Sequence, residues 1–134
     1  MRKQEQKLWD TMKRQLTPSE FWMQRIENVM ISGMPDVYVV SDAGRTAWVE
    51  LKAPTRPKRD STPLLGKSEG LSVEQINWHI IAARRGLRTY ILIRCSLGSV
   101  YLVEGKHSAN INAMSVVDMT PWTINWEDLR RILK

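Results

Sequence analysis

The chain has 134 residues, enough for one domain with a buried core, and its single cysteine excludes an internal disulfide. Lys and Arg outnumber Asp and Glu by 20 to 14, which favours an anionic partner such as nucleic acid, although many basic proteins bind none. No segment is apolar for long enough to cross a bilayer, and the charged start "MRKQEQKLWD" does not resemble a secretion signal. We therefore expect a cytoplasmic protein with no membrane partner.

Eight elements are predicted from periodicity and turn residues. Apolar residues at spacings of three and four indicate helices, and runs of β-branched and aromatic residues indicate strands. In chain order they are a helix at 3–16, strands at 21–31, 36–40 and 46–52, a helix at 73–85, strands at 88–94 and 99–104, and a helix at 125–134. The apolar residues of the second helix are expected to pack on the sheet: Val73, Ile76, Ile80, Ile81 and Ala83. The order α-β-β-β-α-β-β-α predicts an α/β (α+β) fold with a central mixed β-sheet flanked by helices.

Charged residues lie in the predicted hairpin 36–52, where apolar residues would otherwise pack a core. Because side chains alternate along a strand, Glu50 and Lys52 share one face, while Val49 and Leu51 share the other. Asp36 opens the neighbouring strand, so its carboxylate can meet that of Glu50. Two such carboxylates can bind one Mg²⁺, which keeps other positions for water and substrate phosphate. With an adjacent ammonium, this set suits phosphodiester hydrolysis.

The role of Lys52 stays open between general base and a cation that stabilises the transition state. Carboxylates favour its charged form, whereas a metal ion and burial favour the neutral form. Each part of the pattern also occurs without catalysis, since Glu-x-Lys is common on solvated strands and Gly-x-Pro-Asp is an ordinary turn. Their order along the chain favours a catalytic site.

Three parts of the sequence together resemble the PD-(D/E)XK nucleases, and within them the VRR-NUC type found in viral replication-repair nucleases. They are Gly33-Met34-Pro35-Asp36, then Glu50-Leu51-Lys52, then Leu71-Ser72 with Gln75. The resemblance covers residues 1–95 in element order. It implies a restriction-endonuclease-like core in which Asp36 and Glu50 bind Mg²⁺ or Mn²⁺. The backbone carbonyl of Leu51 is a further ligand by the same resemblance, and Lys52 is catalytic.

Two further residues belong to the set that the resemblance implies. An N-terminal helix often adds an acid in such nucleases, and Glu5 is the match here. It lies on the apolar stripe of Leu8 and Met12, where an acid is costly without a cation, although a frayed and solvated first turn is the alternative. Gln75 either acts in the site, orienting water or binding metal, or closes a capping box with Ser72 and has no chemical role.

The 19-residue loop 53–71 departs from the family pattern, in which this connection is short. Its cations are candidates for contacts with DNA phosphates, which position a duplex without reading its sequence. A solvated, flexible linker is the alternative. With one cation from the first strand, the DNA-binding candidates are Arg25, Arg56, Lys58, Arg59 and Lys67.

The sequence therefore predicts a single nuclease domain over 1–134, with a C-terminal extension at 106–134 that contains a short helix. The expected activity is Mg²⁺-dependent endonuclease cleavage of DNA in replication or repair. By family analogy we expect a phage-like homodimer selective for branched DNA such as a Holliday junction, acting in the host cytoplasm if phage-encoded. A sequence-specific restriction-type nuclease and a non-catalytic nucleic-acid-binding module are the alternatives.

Overall fold

One mixed sheet with helices on both faces forms the protein in the computed structural model, which describes residues 3–26, 32–66, 68–95 and 98–134. The described elements are helix α1 Lys3–Gln15, strands β1 Phe21–Arg25, β2 Val37–Ser41 and β3 Thr46–Lys52, helix α2 Val73–Arg84, strands β4 Thr89–Arg94 and β5 Val100–Glu104, a 3₁₀ helix Gly105–Ala113, helix α3 Val116–Met119, a 3₁₀ helix Thr120–Trp122, strand β6 Thr123–Ile124 and helix α4 Trp126–Leu133. The first predicted strand is thus observed to Arg25, and its predicted part at 27–31 lies outside the described residues.

The strands lie in the sheet in chain order from β1 to β6. The β3–β4 pair is parallel, since α2 returns the chain to the other end of the sheet, and the other neighbouring pairs of described strands are antiparallel. The parallel register sets Lys52 opposite Ile93, so the carboxyl ends of β3 and β4 meet at one edge. The predicted α/β (α+β) fold class with a mixed sheet is confirmed.

The two faces of the sheet pack two separate apolar clusters. Val49 and Leu51 belong to the cluster formed with α1 and α4. Ile91 and Ile93 belong to the cluster on the opposite face, which includes loop 53–71 and residues 111–119. The predicted alternation in β3 is therefore confirmed. Its polar face, with Glu50 and Lys52, is the face of the sheet on which α1 does not pack.

The described part of loop 53–71 is packed, which argues against a flexible linker. Leu64 and Leu65 are buried in the second cluster. The loop is also joined to α3 and the residues before it by backbone hydrogen bonds, Leu64 N to Met114 O at 3.0 Å, Val116 N to Thr62 O at 3.3 Å and Val117 N to Asp60 O at 3.1 Å. The C-terminal extension thus holds the loop against the sheet.

The predicted packing of the apolar residues of α2 is confirmed for Ile76, which packs against the second cluster, and is wrong for Val73 and Ile81. Val73 and Ile81 are 70% and 57% exposed, whereas His79 and Ala82 are buried. The reason is tertiary packing, since α2 packs on the 3₁₀ helix Gly105–Ala113. His79 is buried because its ring nitrogen finds a partner in Thr89 of β4. No helix among the described residues is long and apolar enough to cross a membrane.

Candidate active site

A glycine turn positions Asp36 beside β3. Gly33 has φ +86°, and a Cβ added to it would lie 2.3 Å from the backbone oxygen of Glu74 in α2. Glycine is therefore required both by the left-handed backbone and by the close approach to the helix. Asp36 follows three residues later, and its Oδ2 accepts a hydrogen bond of 2.9 Å from the backbone N of Leu51. This bond fixes the Asp36 carboxylate next to the segment that contains Glu50 and Lys52.

Glu50 is the buried acid of this site. It is 2% exposed, and its Oε1 has no hydrogen-bond partner among the described residues. Burial raises the pKa of Glu50 well above its ordinary value of 4.5, and a hydrogen-bonding contact with the Asp36 carboxyl and its charge raise it further. The charge of Lys52 lowers this pKa, and that of Glu5 raises it. A buried carboxyl beside a second acid needs a proton or a cation nearby to offset the cost of its charge.

These electrostatic effects place four predicted site residues together. Lys52 is the last residue of β3 and is half-buried, close enough for its charge to act on Glu50. Glu5 lies in the first turn of α1, also half-buried, and its charge acts on the same carboxyl. The structure thus brings Asp36, Lys52 and Glu5 close to Glu50, from the turn before β2, from β3 and from α1.

Gln75 forms a capping box at the start of α2. The backbone N of Ser72 donates to Gln75 Oε1 at 2.9 Å, and the backbone N of Gln75 donates to Ser72 Oγ at 3.1 Å. The geometry therefore shows the capping role, one of the two roles considered for this side chain. Because Gly33 packs on the same helical turn, the cap also supports the loop that positions Asp36. A direct chemical role for Gln75 stays a prediction.

His79 is a polar residue near the site that the sequence patterns do not mark. It is fully buried, four residues after Gln75, and its Nδ1 lies 2.5 Å from Thr89 Oγ1. Burial lowers the pKa of His79 to about 4, against the opposing effect of the Asp36 charge. The imidazole is therefore neutral near pH 7, and it lies on the helix whose first turn packs against Gly33 of the Asp36 turn.

The gathered carboxylates suit a divalent cation. Glu50 has a buried oxygen without a partner, and its pKa is raised first by burial and then by the Asp36 carboxyl, so a cation beside it would favour its charged form. In ranges 3–26, 32–66, 68–95 and 98–134, no group of three or more His, Cys, Asp or Glu side chains encloses a metal position. An open site with one or two carboxylates is nonetheless how Mg²⁺ is commonly bound, with water and phosphate completing its coordination.

The predicted DNA-contacting cations lie in different surroundings. Arg25 ends β1 opposite Val37 in the register, which places it next to Asp36. Arg56 is held by Asp60 at 2.8 Å and its side chain is 28% exposed, so its charge is partly neutralised. Lys58 and Arg59 are exposed. Lys67 lies outside the described residues.

Comparisons with known proteins identify the fold. No protein-family model and no curated protein sequence matches the chain. Among solved structures, the chain is similar to Hjc, a Holliday junction resolvase from the archaeal hyperthermophile Archaeoglobus fulgidus, with a TM-score of 0.62 and 13% identity. The match covers 97% of this chain and 98% of that one, so the likeness extends over the whole fold. The protein therefore has the architecture of that resolvase.

Proposed function

We propose that this protein is a Mg²⁺-dependent endonuclease of the PD-(D/E)XK kind that cleaves branched DNA such as a Holliday junction. The main observation is Glu50, buried with an unpartnered oxygen beside Asp36 and close to Lys52. The fold likeness to a Holliday junction resolvase supports the substrate class. The finer VRR-NUC assignment rests on the order of the three sequence motifs.

Asp36 and Glu50 would hold the metal ion, with the Leu51 carbonyl and Glu5 as further candidate ligands. Mn²⁺ accepts the same oxygen ligands and would substitute. When bound, a divalent ion polarises the phosphoryl group and lowers the pKa of an attacking water. Its positive charge would also offset the repulsion between the two neighbouring acids and the cost of burying Glu50.

The side chains of the chain itself perform positioning and charge neutralisation. The Leu51 amide restrains the Asp36 carboxylate, so this group needs little rearrangement when substrate binds. Lys52 stands at the end of β3, where its ammonium neutralises charge that develops on the phosphoryl oxygens. A role as general base is the alternative for this lysine. Gln75 and Gly33 position the Asp36 turn through α2.

A homodimer follows from the proposed substrate. Resolving a four-way junction requires one cut in each of two strands, and a chain with one site supplies one cut. We therefore propose two subunits with one site each, acting in the cytoplasm, or in the host cytoplasm if the chain is phage-encoded. Arg25, Lys58, Arg59 and Lys67 are the proposed contacts with DNA phosphates, with a smaller contribution from Arg56.

Cleavage of a panel of DNA substrates tests this function. The panel contains linear, nicked, flapped and four-way DNA, each with and without Mg²⁺, and compares wild type with Glu50→Gln. The matched control is Glu104→Gln, which alters an exposed strand glutamate away from the site. Metal-dependent cutting of four-way DNA that Glu50→Gln loses and Glu104→Gln retains supports the proposal.

Other results of the same panel identify the rivals. Discrete fragments from long duplex DNA would indicate a restriction-type nuclease. DNA binding without any cutting in Mg²⁺ or Mn²⁺ would indicate a non-catalytic module.

A further inference from the structure

A cleft of about 280 Å³ lies on the face of the sheet opposite to Glu50. Gln4 and Lys7 of α1 form one wall, Ala53 and Arg94 at the ends of β3 and β4 form another, and Trp126 of α4 closes it. Arg94 belongs to this face because Ile91 and Ile93, which lie in the opposite cluster, alternate with Leu92 and Arg94 along β4. The cleft therefore lies between α1 and the carboxyl ends of the two parallel strands.

Positive charge gathers at one side of the cleft, where Arg94 of its lining reaches Thr11 of α1. The Thr11 hydroxyl accepts hydrogen bonds from Arg94 Nη1 at 3.0 Å and from Arg14 Nη2 at 3.2 Å, and donates to the Lys7 carbonyl at 2.9 Å. Burial lowers the pKa of Arg94, and the nearby charge of Arg14 lowers it further. Two guanidinium groups are therefore held close together in spite of their mutual repulsion.

No carboxylate among the described residues forms an ion pair with Lys7, Arg14 or Arg94. Other described cations do have such partners: Lys13 pairs with Asp10 and Arg130 with Glu20. A guanidinium has five donors in a fixed fork, so Arg94 has donors left for a bidentate contact after its bond to Thr11. The arrangement suits an anion with several oxygens, and phosphate is the anion that such a fork matches best.

Both walls of the cleft adjoin the candidate active site. Glu5 lies between Gln4 and Lys7 in α1, and Ala53 directly follows Lys52. A DNA strand with one phosphate at the acids therefore has the cleft within reach of another part of its backbone. We propose that Lys7 and Arg94 in this cleft, with Arg14 beside it, bind the phosphate backbone of the DNA substrate, an inference that rests on the proposed function.

Salt dependence of DNA binding tests the cleft. Binding of four-way DNA is measured in EDTA, where no cleavage is expected, over a range of NaCl concentrations. Removing one cation that neutralises a phosphate reduces the slope of log K against log salt by about 0.9 for duplex DNA. Lys7→Ala and Arg14→Gln change exposed positions and should leave the fold intact, and Arg94→Gln keeps a donor for Thr11. We expect each variant to reduce the slope, and the Lys7→Ala/Arg14→Gln double variant to reduce it most.

The control is Lys106→Ala, which removes an exposed lysine at the other end of β4, beside Glu104. It should leave the slope unchanged. Unchanged slopes in all three single variants and in the double variant would overturn the cleft proposal, as would an equal reduction in the control. If wild type still cleaves four-way DNA when either of these results is found, the cleft proposal fails but the proposed function does not. Conversely, wild type could show a steeper salt dependence than the cleft variants and yet never cut DNA. That result would overturn the proposed nuclease function and support the cleft as a phosphate site.

Discussion

Near the ends of β3 and β4, the buried Glu50 lies on one face of the sheet, and Lys7, Arg14 and Arg94 lie on the other. Glu50 is buried, so its charge is costly and its pKa rises, and the site needs a cation at short range. Lys7 and Arg14 are exposed, so water and salt screen them, and they suit an extended polyanion rather than a single ion. The difference indicates that burial, more than charge, separates the proposed catalytic site from the proposed DNA-binding surface.

Removing the buried acid should give the largest effect. Glu50→Gln keeps the shape of the side chain but removes the charge that would hold the metal. We expect cleavage of four-way DNA to fall by about 10³-fold or more, since a charge-stabilising group of this kind is commonly worth that much. Single-turnover cleavage with saturating enzyme measures the chemical step. A Glu50→Gln variant within 3-fold of the Glu104→Gln control, where ~3-fold is under 1 kcal/mol, would contradict the account.

Lys52 variants should separate its two proposed roles. Lys52→Met should reduce cleavage by about 10²- to 10³-fold while leaving most of the folding stability, because the side chain is half-buried at a strand end. Lys52→Arg keeps the positive charge but is a much weaker proton acceptor.

The comparison of the two Lys52 variants is made by pre-steady-state cleavage at several pH values. Activity in Lys52→Arg well above that of Lys52→Met supports charge stabilisation. Equal loss in both variants supports the general base instead.

Substituting Gly33, the glycine of the turn before Asp36, should displace the Asp36 carboxylate without replacing any acid of the site. Gly33→Ala places a Cβ 2.3 Å from the Glu74 carbonyl oxygen and forces a left-handed backbone on alanine. The conformational cost is about 1–2 kcal/mol and the overlap adds about 1–3 kcal/mol. Urea unfolding measures the loss, and cleavage should fall as well because Asp36 moves.

Gly44→Ala is the matched control for that experiment. Gly44 also has a positive φ, +79°, but an added Cβ meets nothing within 4 Å. It should therefore show the conformational cost alone, with normal cleavage. Equal destabilisation by the two substitutions would show that α2 does not press on the Asp36 turn.

The smallest effect expected is a dependence of stability on pH. The folded pKa of Glu50 lies above its ordinary value of 4.5, so between these values the native protein binds more protons than the unfolded chain. The free energy of unfolding of the metal-free protein should therefore fall as pH rises above 4.5, by up to about 1.4 kcal/mol per pH unit. Glu50→Gln should abolish this fall, and urea unfolding at a series of pH values measures it.

The titration of His79 changes stability with pH in the opposite direction, and subtracting the Glu50→Gln data from those of wild type removes its contribution. Its folded pKa of about 4 lies below its ordinary 6.5, so its contribution to stability is lost as pH falls between those values. The difference between wild type and Glu50→Gln cancels this contribution. A difference that does not change with pH would show that Glu50 is not held protonated in the metal-free protein.

Local patterns in the sequence were enough to predict where Asp36 and Glu50 lie in the fold, while their role in a site stays a prediction. Alternation along 46–52 separates Glu50 from Leu51, and both turn residues and capping residues mark where Asp36 and Gln75 lie. These features depend on near neighbours in the chain, so the sequence contains them directly. The mixed sheet followed from the order of the elements.

Features that depend on distant segments could not be predicted. Val73 and Ile81 are exposed and His79 is buried because of what packs on α2, which the helix's own periodicity does not contain. The packing of loop 53–71 against the C-terminal extension is of the same kind. Lys7 of α1 and Arg94 of β4 line the cleft together although they are far apart in the sequence, and neither residue lies in a recognisable motif.

Calorimetric titration of Mn²⁺ or Mg²⁺ into the DNA-free protein tests the central claim most directly. The claim is that Asp36 and the buried Glu50 form a divalent-cation site. Wild type and Glu104→Gln should bind the metal and release protons in amounts that depend on pH, because a bound cation favours the ionised form of Glu50, whose pKa is raised in the metal-free protein. Glu50→Gln should bind at least ten times more weakly, about 1.4 kcal/mol, with no such proton release. Equal binding by Glu50→Gln and wild type would contradict the claim.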